Sequence, residues 1–426
     1  MTSRSCVTYE PEERIASTEE DSNVMSKMTC LSGTPIDDGY HMPAEWEMHK
    51  RTWMLWPVRP DVWRCAARPA QRAFAAVANA IGRFEPVCVG VPTGLAKSAR
   101  ELLDPVNVSI VEIDQNDAWM RDTGPIFVVN DDNVRNRHVR GVDWLFSAWG
   151  GPSGGCYSDW SKDEAVAGTV LALAGSECYK GNMILEGGSI HVDGQGTLIT
   201  TEECLLNPNR NPNLTRHDID KFLRDYLGVR SVLWLKKGIV NDLDTNGHVD
   251  NLVAFVGPGE VVLHWTDDPE DPQHAISVDA LRRLEDFVDA EGRKLKVHKC
   301  CLPGPLYMSQ DCVTSLEPVH GTAERREGKS RDEPLSLNSR LAASYVNFYF
   351  TNGAVMLPAF GVSQDEEALK LFQRIFPERE VVTLDTREIV LGGGNIHCIT
   401  QQEPLGATCV RTGEAEGILL PSSKGL

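Results

Sequence analysis

The sequence predicts an α/β fold in which one strand–hairpin–helix–strand unit occurs about five times around a central cavity. Five amphipathic helical segments are spread along the chain, a short β-rich run follows each of them, and hairpin signals recur between these pairs. A repeated unit that cannot bury its own apolar face must stack on its copies or close into a ring. Two successive α/β domains are the alternative, and the five-fold count favours the ring.

The helical segments carry apolar residues three and four positions apart, so each has one face suited to burial. In the first segment the stripe is Phe74, Val77, Ile81 and Phe84. The fourth is expected to bury a stripe that includes Val278 and Val288. The five segments are residues 71–84, 161–175, 215–228, 277–290 and 365–378.

The β-rich runs are short and rich in β-branched and aromatic residues, as strands are. A loop and a further strand follow, and in most units that strand turns into a second one. Hairpin turns are predicted at Asp193–Gly194, at Gly257–Gly259 and, most strongly, at Asn352–Gly353. The five runs are residues 86–92, 176–180, 229–235, 294–300 and 381–386.

Internal similarity is visible directly in two short stretches. LEGGSIH at 185–191 matches LGGGNIH at 391–397 in five of seven positions. A motif repeated at equivalent points of two units supports a repeat architecture.

The composition excludes several classes of partner. The chain has 426 residues and a formal charge of −19, whereas nucleic acid and anionic membranes require basic patches. No apolar run approaches the ~20 residues that cross a bilayer. We therefore expect no nucleic-acid partner and no membrane.

Twelve cysteines are scattered without a CxxC pair, which is typical of free thiols in a reducing compartment, and we expect a cytoplasmic protein. Residues 1–38 are polar and lack the apolar region of a secretory signal, so they are interpreted as a disordered leader. Residues 39–415 are expected to form a single catalytic domain, followed by a tail at 416–426.

Polar residues cluster at the loop-to-strand junction of each unit. If the units form a ring, these junctions converge on one axial pocket that holds several carboxylates, a histidine and a thiol. Crowded carboxylates are costly unless a cation neutralises them. His248 and Asp250, two residues apart on a strand-like segment, should face the same way. The junction residues, unit by unit, are Asp117, Arg121 and Asp122; Glu186 and His191; Asp242, Asp244, His248 and Asp250; Asn347; and His397 and Cys398.

Several of these junction residues also have a purely structural interpretation. A buried cysteine is more often a small apolar side chain than a nucleophile, and that interpretation is kept for every cysteine except Cys398. His191 and His397, at equivalent places in the repeat, are better explained as scaffold. A zinc site at His248, Asp250 and Cys398 is the weaker alternative, because close Cys/His spacings are lacking.

At these residues the sequence closely resembles the agmatine deiminase (agmatine iminohydrolase) family, especially its plant-type members. The resemblance rests on NDAWMRDTGPIFVV, LEGGSIHVDGQGTLITTEECLLNPNRNPNLT, DTNGHVDN and REIVLGGGNIHCITQQEP, and it runs from about Gly39 to Pro404. It implies a five-bladed α/β propeller of the guanidine-modifying (pentein) superfamily, with pseudo-five-fold ββαβ repeats around a central active-site pocket. It also implies hydrolysis of agmatine to N-carbamoylputrescine and ammonia, in putrescine (polyamine) biosynthesis.

The resemblance assigns roles to site residues. Cys398 would attack the guanidinium carbon and form an amidino-cysteine intermediate. His248 would act as acid and base, with Glu186 orienting it. Asp122 and Asp250 would bind the guanidinium in bidentate fashion. Asp244 matches a substrate-binding acid of the family, and Trp119 is either a lining of the substrate's alkyl chain or a core residue.

The resemblance further implies a homodimer and neither a metal nor an organic cofactor. A free-arginine or peptidyl-arginine deiminase is the nearest rival, but it would need a basic partner or an open rim for its substrate. A metal-dependent hydrolase and a non-catalytic binding propeller are more distant rivals. The charged segment near 311–340 is longer than is usual in the family.

Overall fold

The protein is described here by a computed structural model that covers residues 30–131, 137–316 and 339–406. The strands are β1 Cys30–Leu31, β2 His49–Leu55, β3 Val87–Val91, β4 Val108–Glu112, β5 Ile126–Asn130, β6 His138–Leu145, β7 Cys178–Ile184, β8 Ile190–Val192, β9 Thr197–Thr201, β10 Ser231–Leu235, β11 Val253–Gly257, β12 Glu260–Trp265, β13 Lys296–Cys301, β14 Tyr349–Thr351, β15 Ala354–Ala359, β16 Glu380–Asp385 and β17 Thr400–Pro404.

Five main helices lie between these strands: α1 Arg68–Ile81, α2 Val166–Ala174, α3 Arg216–Leu227, α4 Pro272–Asp286 and α5 Gln364–Ile375. Short α-helical turns lie at Ala96–Arg100, Met120–Thr123, Gly151–Gly154, Ser161–Glu164, Glu202–Leu205, Gln310–Thr314 and Arg387–Val390, and 3₁₀ turns at Pro35–Asp38, Gly187–Ser189 and Val249–Asn251.

The strands form five small sheets that share one pattern. An inner strand pairs antiparallel with a middle strand, and the middle strand pairs parallel with an outer one, giving β5-β6-β7, β8-β9-β10, β11-β12-β13, β14-β15-β16 and β17-β2-β3. A main helix links the middle and outer strands of every sheet, since parallel neighbours need a crossover connection. The repeat is therefore ββαβ, and the α/β propeller predicted from the sequence is confirmed.

Each sheet with its linking helix is one blade of the propeller, and one blade is built from both ends of the described chain. The inner strand β17 pairs antiparallel with β2, with Thr400 opposite Met54 and Gln401 opposite Trp53. This pairing joins the last strand to the first blade and closes the ring. The inner strands β5, β8, β14 and β17 are buried throughout. The junctions before the inner strands consequently lie at the centre of the molecule.

The predicted helices and hairpin turns are present, with two differences. The second helical segment is divided into Ser161–Glu164 and α2. The fourth begins earlier than predicted, because the Asp271 side chain caps α4 by accepting a hydrogen bond from Gln273 N at 2.9 Å. The helix buries Ser277, Ala280 and Leu284, whereas Val278 is 42 % exposed. Of the predicted stripe, Leu281, Leu284 and Phe287 pack in the core, and only Val278 and Val288 are exposed.

The predicted leader overlaps the described chain at residues 30–38. There β1 pairs parallel with β7, and Pro35–Asp38 forms a 3₁₀ turn. The folded body thus begins at or before Cys30, earlier than predicted. Residues 1–29, the segment 317–338 of the charged insertion, and the predicted tail at 416–426 lie outside the described residues. In the described parts of the chain, none of the helices is long and apolar enough to span a membrane.

Candidate active site

Three short helical turns meet at the centre of the ring. Met120–Thr123 precedes β5, Gly187–Ser189 precedes β8 and Val249–Asn251 precedes β11, and Gly187–Ser189 contacts both of the other turns. Asp122 and Asp250 lie within two of these turns, and Glu186 immediately precedes the third. The junction residues of different blades therefore converge, as the sequence predicted for a closed ring.

Cys398 follows a run of three glycines whose missing side chains are required by close packing. A Cβ atom at Gly392 would lie 2.5 Å from the Trp63 ring, and one at Gly394 would lie 2.6 Å from the Trp119 ring and 2.9 Å from the Cys398 sulfur. At Gly393, where φ is +110°, a Cβ would lie 2.7 Å from Asp244 Oδ2. The glycines therefore let the chain turn tightly beside the thiol.

The Cys398 sulfur is held among polar groups although the residue is buried. Asn347 Nδ2 donates to Sγ at 3.2 Å, and the thiol contacts Asp250 Oδ2 at 3.4 Å. Asn347 Oδ1 also accepts hydrogen bonds from the backbone N–H groups of His397 (3.1 Å) and Cys398 (3.4 Å). Burial raises the pKa of Cys398 well above its ordinary value, and the charges of Asp250 and Asp122 raise it further. A cation between these carboxylates would reverse that effect.

Asp250 belongs to a buried chain of charged groups. Its Oδ2 lies 3.0 Å from His397 Nδ1, and His397 Nε2 lies 2.9 Å from Glu45 Oε1. Burial alone would raise the pKa of Asp250, but its hydrogen bond to His397 and the histidine's charge lower it below the ordinary value. Arg121 donates to Glu45 at 3.2 Å, and the His191 ring stacks on His397. Asp250 is thereby kept ionised, and both histidines serve the scaffold.

Asp122 offers a second buried carboxylate. Trp149 Nε1 donates to its Oδ2 at 2.9 Å, and the Gly188 backbone N–H donates to its Oδ1 at 3.0 Å. Each oxygen retains a lone pair for a ligand. Burial raises the pKa of Asp122; His248 opposes this effect, and the carboxylates of Asp250 and Glu186 add to it. A cationic ligand would relieve this repulsion.

His248 lies between two carboxylates. Its Nδ1 is 3.9 Å from Asp122 Oδ1, and its Nε2 is 3.9 Å from Glu186 Oε2, while the side chain is fully buried. Burial alone would lower the pKa of His248, but the charge of Asp122, together with Cys204 and Glu186, raises it to about 10. The imidazole is therefore protonated at neutral pH and suited to donate a proton.

The backbone around His248 differs from the prediction. His248 and Asp250 were expected on a strand, but His248 immediately precedes the 3₁₀ turn Val249–Asn251. The strand β11 begins only at Val253. Both side chains nevertheless face Gly188, because a Cβ built there would lie 2.6 Å from His248 Nδ1 and 2.9 Å from Asp250 Oδ2.

Glu186 has a partner that the sequence analysis missed. Arg210 Nε donates to Glu186 Oε1 at 2.6 Å, and both side chains are fully buried. Arg210 also donates to the carbonyl oxygens of Trp149 and Thr245, at 2.6 and 2.9 Å. It thus connects Glu186 to the loop before His248 and fixes the carboxylate. The NPNRNPN stretch around Arg210 was the available signal, since turn residues flank a single cation there.

Gly188 packs directly against three polar groups of the site. A Cβ built there would be 2.6 Å from His248 Nδ1, 2.9 Å from Asp250 Oδ2 and 3.1 Å from Asp122 Oδ1. Two carboxylates and an imidazole thus lie together around this glycine, and Asp250 Oδ2 is 3.4 Å from the Cys398 sulfur. A planar cation with several N–H donors matches this arrangement, because each carboxylate accepts two such bonds.

Alanine at Gly188 is expected to displace His248, Asp250 and Asp122 from their present positions. Its methyl group would meet three fixed side chains within 3.1 Å, so we expect kcat/KM to fall by about 100-fold or more, since small displacements of reacting groups have large effects. Steady-state kinetics with a guanidine substrate, alongside thermal unfolding, checks this. Gly257→Ala is the matched control, because nothing lies within 4 Å of a Cβ there. Equal activity of the two variants would contradict the assigned position.

Asp244 and Trp119, the two remaining predicted site residues, lie beside the glycine turn that precedes Cys398. Asp244 is next to Gly393, as the packing above shows, and it is half-buried. Trp119 is 5 % exposed, donates from Nε1 to Asp117 Oδ2 at 2.8 Å, and rests against Gly394. Its ring therefore covers the glycine turn beside Cys398 and also belongs to the core.

Other residues of the site escaped the sequence analysis. Glu45 and Trp149 lie far from the junctions in sequence, and their contacts arise only from blade packing. Cys204 was interpreted as an ordinary buried thiol, yet its sulfur lies within 4.8 Å of ligating atoms of both Glu186 and His248. None of these three carries a local pattern that distinguishes it from a core residue.

A five-bladed α/β propeller whose axis holds a thiol, an imidazole and paired carboxylates defines a guanidine-modifying enzyme of the pentein class. The family model described as Porphyromonas-type peptidyl-arginine deiminase matches residues 41–404. The chain is 53 % identical to an agmatine deiminase of Pseudomonas aeruginosa over 378 residues, which cover 88 % of this chain and 99 % of the relative. The chain therefore belongs to the agmatine deiminase family, as the sequence motifs predicted.

Further similarities agree with this membership. An agmatine deiminase of Pseudomonas syringae pv. syringae is 50 % identical, with 88 % of this chain and 99 % of the relative covered. The solved structure of an agmatine deiminase of Enterococcus faecalis is 42 % identical and superposes with a TM-score of 0.83, covering 89 % of this chain and 100 % of that one.

Proposed function

We propose that the protein is an agmatine deiminase, which hydrolyses agmatine to N-carbamoylputrescine and ammonia. The observation that carries this proposal is the convergence of four groups, since Asp250 Oδ2 lies 3.4 Å from the Cys398 sulfur and His248 Nδ1 lies 3.9 Å from Asp122 Oδ1. The guanidinium space is the place between the two carboxylates, beside the thiol. A guanidinium ion is planar, cationic and rich in N–H donors, so the two carboxylates fix its plane. The thiol then lies beside the central carbon.

The first half of the reaction forms a covalent intermediate. The thiol proton leaves when the guanidinium cation occupies the carboxylates, because that cation favours the thiolate. Cys398 Sγ forms a bond to the guanidinium carbon. His248 donates a proton to one amino group, and the carbon–nitrogen bond breaks with release of ammonia. An amidino-cysteine cation and a neutral His248 remain.

The second half returns the enzyme to its starting state. Neutral His248 takes a proton from water, and the hydroxide adds to the amidino carbon. The carbon–sulfur bond then breaks, the hydroxyl proton passes to solvent, where the released ammonia takes it up as ammonium, and the carbamoyl product leaves while Cys398 becomes a thiolate again. Glu186, fixed by Arg210, stabilises the protonated imidazole from the Nε2 side. No step requires a metal or an organic cofactor.

The charges near the site favour agmatine over arginine or peptidyl-arginine. Arg121 and Arg210 contact site residues, and each is paired with a buried carboxylate, Glu45 and Glu186 respectively. Neither is available for the carboxylate of free arginine. Asp244, beside the glycine turn, instead suits the ammonium end of agmatine, and Trp119 suits its alkyl chain.

An assay of ammonia release tests the substrate. Agmatine, free arginine and a blocked arginine peptide are compared at equal concentrations, with product identified by mass spectrometry. We expect kcat/KM for agmatine to exceed the others by at least about 100-fold, as for an uncompensated buried charge. Preference for either arginine substrate would overturn the assignment, and loss of activity with chelator would overturn the thiol mechanism.

The pH profile should have a basic limb governed by His248. Because its pKa is raised to about 10, the proton donor is present at neutral pH and is lost as pH rises through about 10. Glu186→Gln removes a negative charge that raises this pKa, so the limb should move to lower pH. We would measure kcat/KM against pH for both proteins. Glu202→Gln, whose carboxylate pairs with Arg283 at 3.1 Å, is the control and should leave the limb in place. An unmoved limb in Glu186→Gln would contradict the role of Glu186.

We further propose that the enzyme is a cytoplasmic homodimer that acts in putrescine biosynthesis, with a single catalytic domain that comprises the predicted residues 39–415 together with residues 30–38, which pack on it. The scattered free cysteines and the charge of −19 support a reducing compartment and a soluble chain. The family resemblance supports the dimer. Light scattering should give about twice the chain mass of 47.1 kDa, and a single-chain mass would remove the dimer from the proposal.

A further inference from the structure

A buried group of donors lies behind His248, on the side opposite the guanidinium space. It consists of the Glu186 carboxylate, the Cys204 thiol and the His248 imidazole, whose ligating atoms all lie within 4.8 Å of one another. All three residues are fully buried. Nδ1 of His248 faces Asp122 and Gly188, whereas Nε2 faces Glu186. The proposed hydrolysis does not use Cys204, and it uses Glu186 only to stabilise the protonated imidazole.

Two of these donors lack ordinary partners. Within the described residues, neither Glu186 Oε2 nor His248 Nε2 has a hydrogen-bond partner, although both atoms are inaccessible to solvent. The two atoms face each other as an ion pair at 3.9 Å, with the Cys204 thiol beside them, so neither has a hydrogen bond of ordinary length. Buried polar atoms are nearly always satisfied, and a ligand bound by all three groups would satisfy them. A thiol beside them makes a set of one sulfur, one nitrogen and one oxygen, which is the donor chemistry of zinc and similar soft divalent ions.

We propose that Glu186, Cys204 and His248 form a binding site for Zn²⁺ or a related thiophilic divalent ion, and that occupation of this site inhibits the enzyme reversibly. The binding step is metal coordination by Glu186 Oε2, His248 Nε2 and Cys204 Sγ, with loss of the thiol proton and of the Nε2 proton to solvent. The binding claim stands on the donor geometry, whereas the inhibition claim rests on the proposed function of His248.

The distances are close to those that coordination requires. Bond lengths of about 2.0–2.3 Å and tetrahedral angles place ligand atoms roughly 3.3–3.8 Å apart. Glu186 Oε2 and His248 Nε2 are 3.9 Å apart, so only a small approach of the side chains is needed. Three protein ligands leave the fourth position for water.

Hydrogen bonds fix the positions of the groups that carry these donors. The Cys204 backbone N–H donates to Thr201 Oγ1 at 3.2 Å, and Thr201 Oγ1 donates to the Gly247 carbonyl at 2.7 Å. The second blade is thereby tied to the loop that carries His248. Arg210 holds the other Glu186 oxygen at 2.6 Å. Such outer contacts orient ligands toward a metal.

The surrounding charge also favours a cation. His248 lies among the carboxylates of Asp122, Glu186, Asp242 and Asp250. Arg210 opposes a metal charge, but it is already paired with Glu186. A thiolate, a carboxylate and a neutral imidazole balance a divalent ion. Metal on Nε2 would leave an imidazole protonated only on Nδ1, which is a far weaker acid than imidazolium. His248 could then no longer protonate the leaving group, while the guanidinium space on the Nδ1 side stays open.

Direct binding is tested with Co²⁺ as the spectroscopic probe. Cys398→Ser serves as the parent protein, because it cannot turn over substrate and lacks the other thiol of the site. We expect Co²⁺ to give a thiolate-to-cobalt absorption band in the near ultraviolet, and Zn²⁺ to displace it. Adding Cys204→Ser should abolish the band. Adding Cys88→Ser should not, since Cys88 is a buried thiol in β3 remote from these donors.

A second variant keeps the test decisive if Cys204→Ser folds poorly. Glu186→Gln in the same parent should weaken Co²⁺ binding by roughly 100-fold while keeping the thiolate band at saturation. Thermal unfolding of each variant reports its integrity. A band that persists without Cys204, or that requires Cys398, overturns the proposal, as does an absence of binding at millimolar Co²⁺.

Inhibition is measured on the active protein with Zn²⁺ alone. We expect kcat to fall with little change in the KM for agmatine, and a chelator to restore activity. Inhibition competitive with agmatine would place the ion in the guanidinium space and overturn the proposal. Because the Co²⁺ band is read on an inactive variant, a failure of the proposed substrate leaves the binding result intact.

Discussion

Cys398→Ser is expected to lower kcat for agmatine by about 10⁴-fold or more while the protein stays folded. A serine hydroxyl is a far weaker nucleophile than a thiolate, because it keeps its proton at neutral pH. The exchange is nearly isosteric, and Asn347 Nδ2 still has an acceptor at the former sulfur position, 3.2 Å away. Steady-state kinetics and thermal unfolding of the variant check both parts.

The covalent intermediate gives this expectation a second measurement. Acid quenching during turnover should trap an amidino group on Cys398 of the wild-type protein, visible by peptide mass spectrometry, and no such group in the variant. Cys88→Ser is the matched control, because it removes a buried thiol outside the site and should retain turnover. Turnover near the wild-type level in Cys398→Ser would remove this thiol from the mechanism.

Asp122→Asn is expected to lower kcat/KM for agmatine by roughly 10³-fold, as for removal of one partner of a buried charged pair. The guanidinium would lose a carboxylate. The new amide would also point its N–H groups at either the Trp149 indole or the Gly188 N–H, each of which now donates to Asp122. The variant should bind agmatine more weakly as well as turn it over more slowly, which steady-state kinetics and a binding titration would measure.

Asp193→Asn is the control for this change. Asp193 is also a buried aspartate whose Oδ1 accepts backbone hydrogen bonds, from Gln195 at 2.8 Å and Thr197 at 2.8 Å, but it lies in the β8–β9 turn. An asparagine keeps that acceptor, so activity should change by no more than a few-fold. Similar losses in both variants would show that the effect of Asp122→Asn is structural.

Local sequence patterns were sufficient to predict the repeat and the main site residues. Amphipathic spacing and turn signals specify each ββαβ unit, because helix and strand periods and Asn-Gly turns act over a few residues. Cys398, His248, Asp122, Asp250 and Glu186 were identifiable because they recur at the same junction of successive units and match family motifs. The structure brings these junctions together. Their catalytic roles remain predictions that the variants above test.

Other features could not be read from local patterns. The α4 stripe was predicted partly wrongly. Val288 lies beyond the helix, which ends at Asp286, and the buried face of α4 runs through Ser277, Ala280 and Leu284, so Val278 lies off it. His248 was assigned to a strand because its spacing from Asp250 fits period two, whereas His248 directly precedes a 3₁₀ turn.

The sequence alone determined the unit of the fold and the chemical types at its junctions, since both depend on short-range spacing and residue identity. Only the tertiary structure decided which of those groups touch. Glu45 reaches His397 through ring closure, Arg210 reaches Glu186 within the second sheet's own unit, and Cys204 lies beside His248 through the packing of successive units. Contacts between residues far apart in sequence follow from the packing of whole blades. That packing places Asp122 and Glu186 beside His248, which raises the pKa of the imidazole, and it brings Asp122 and Asp250 together around Gly188.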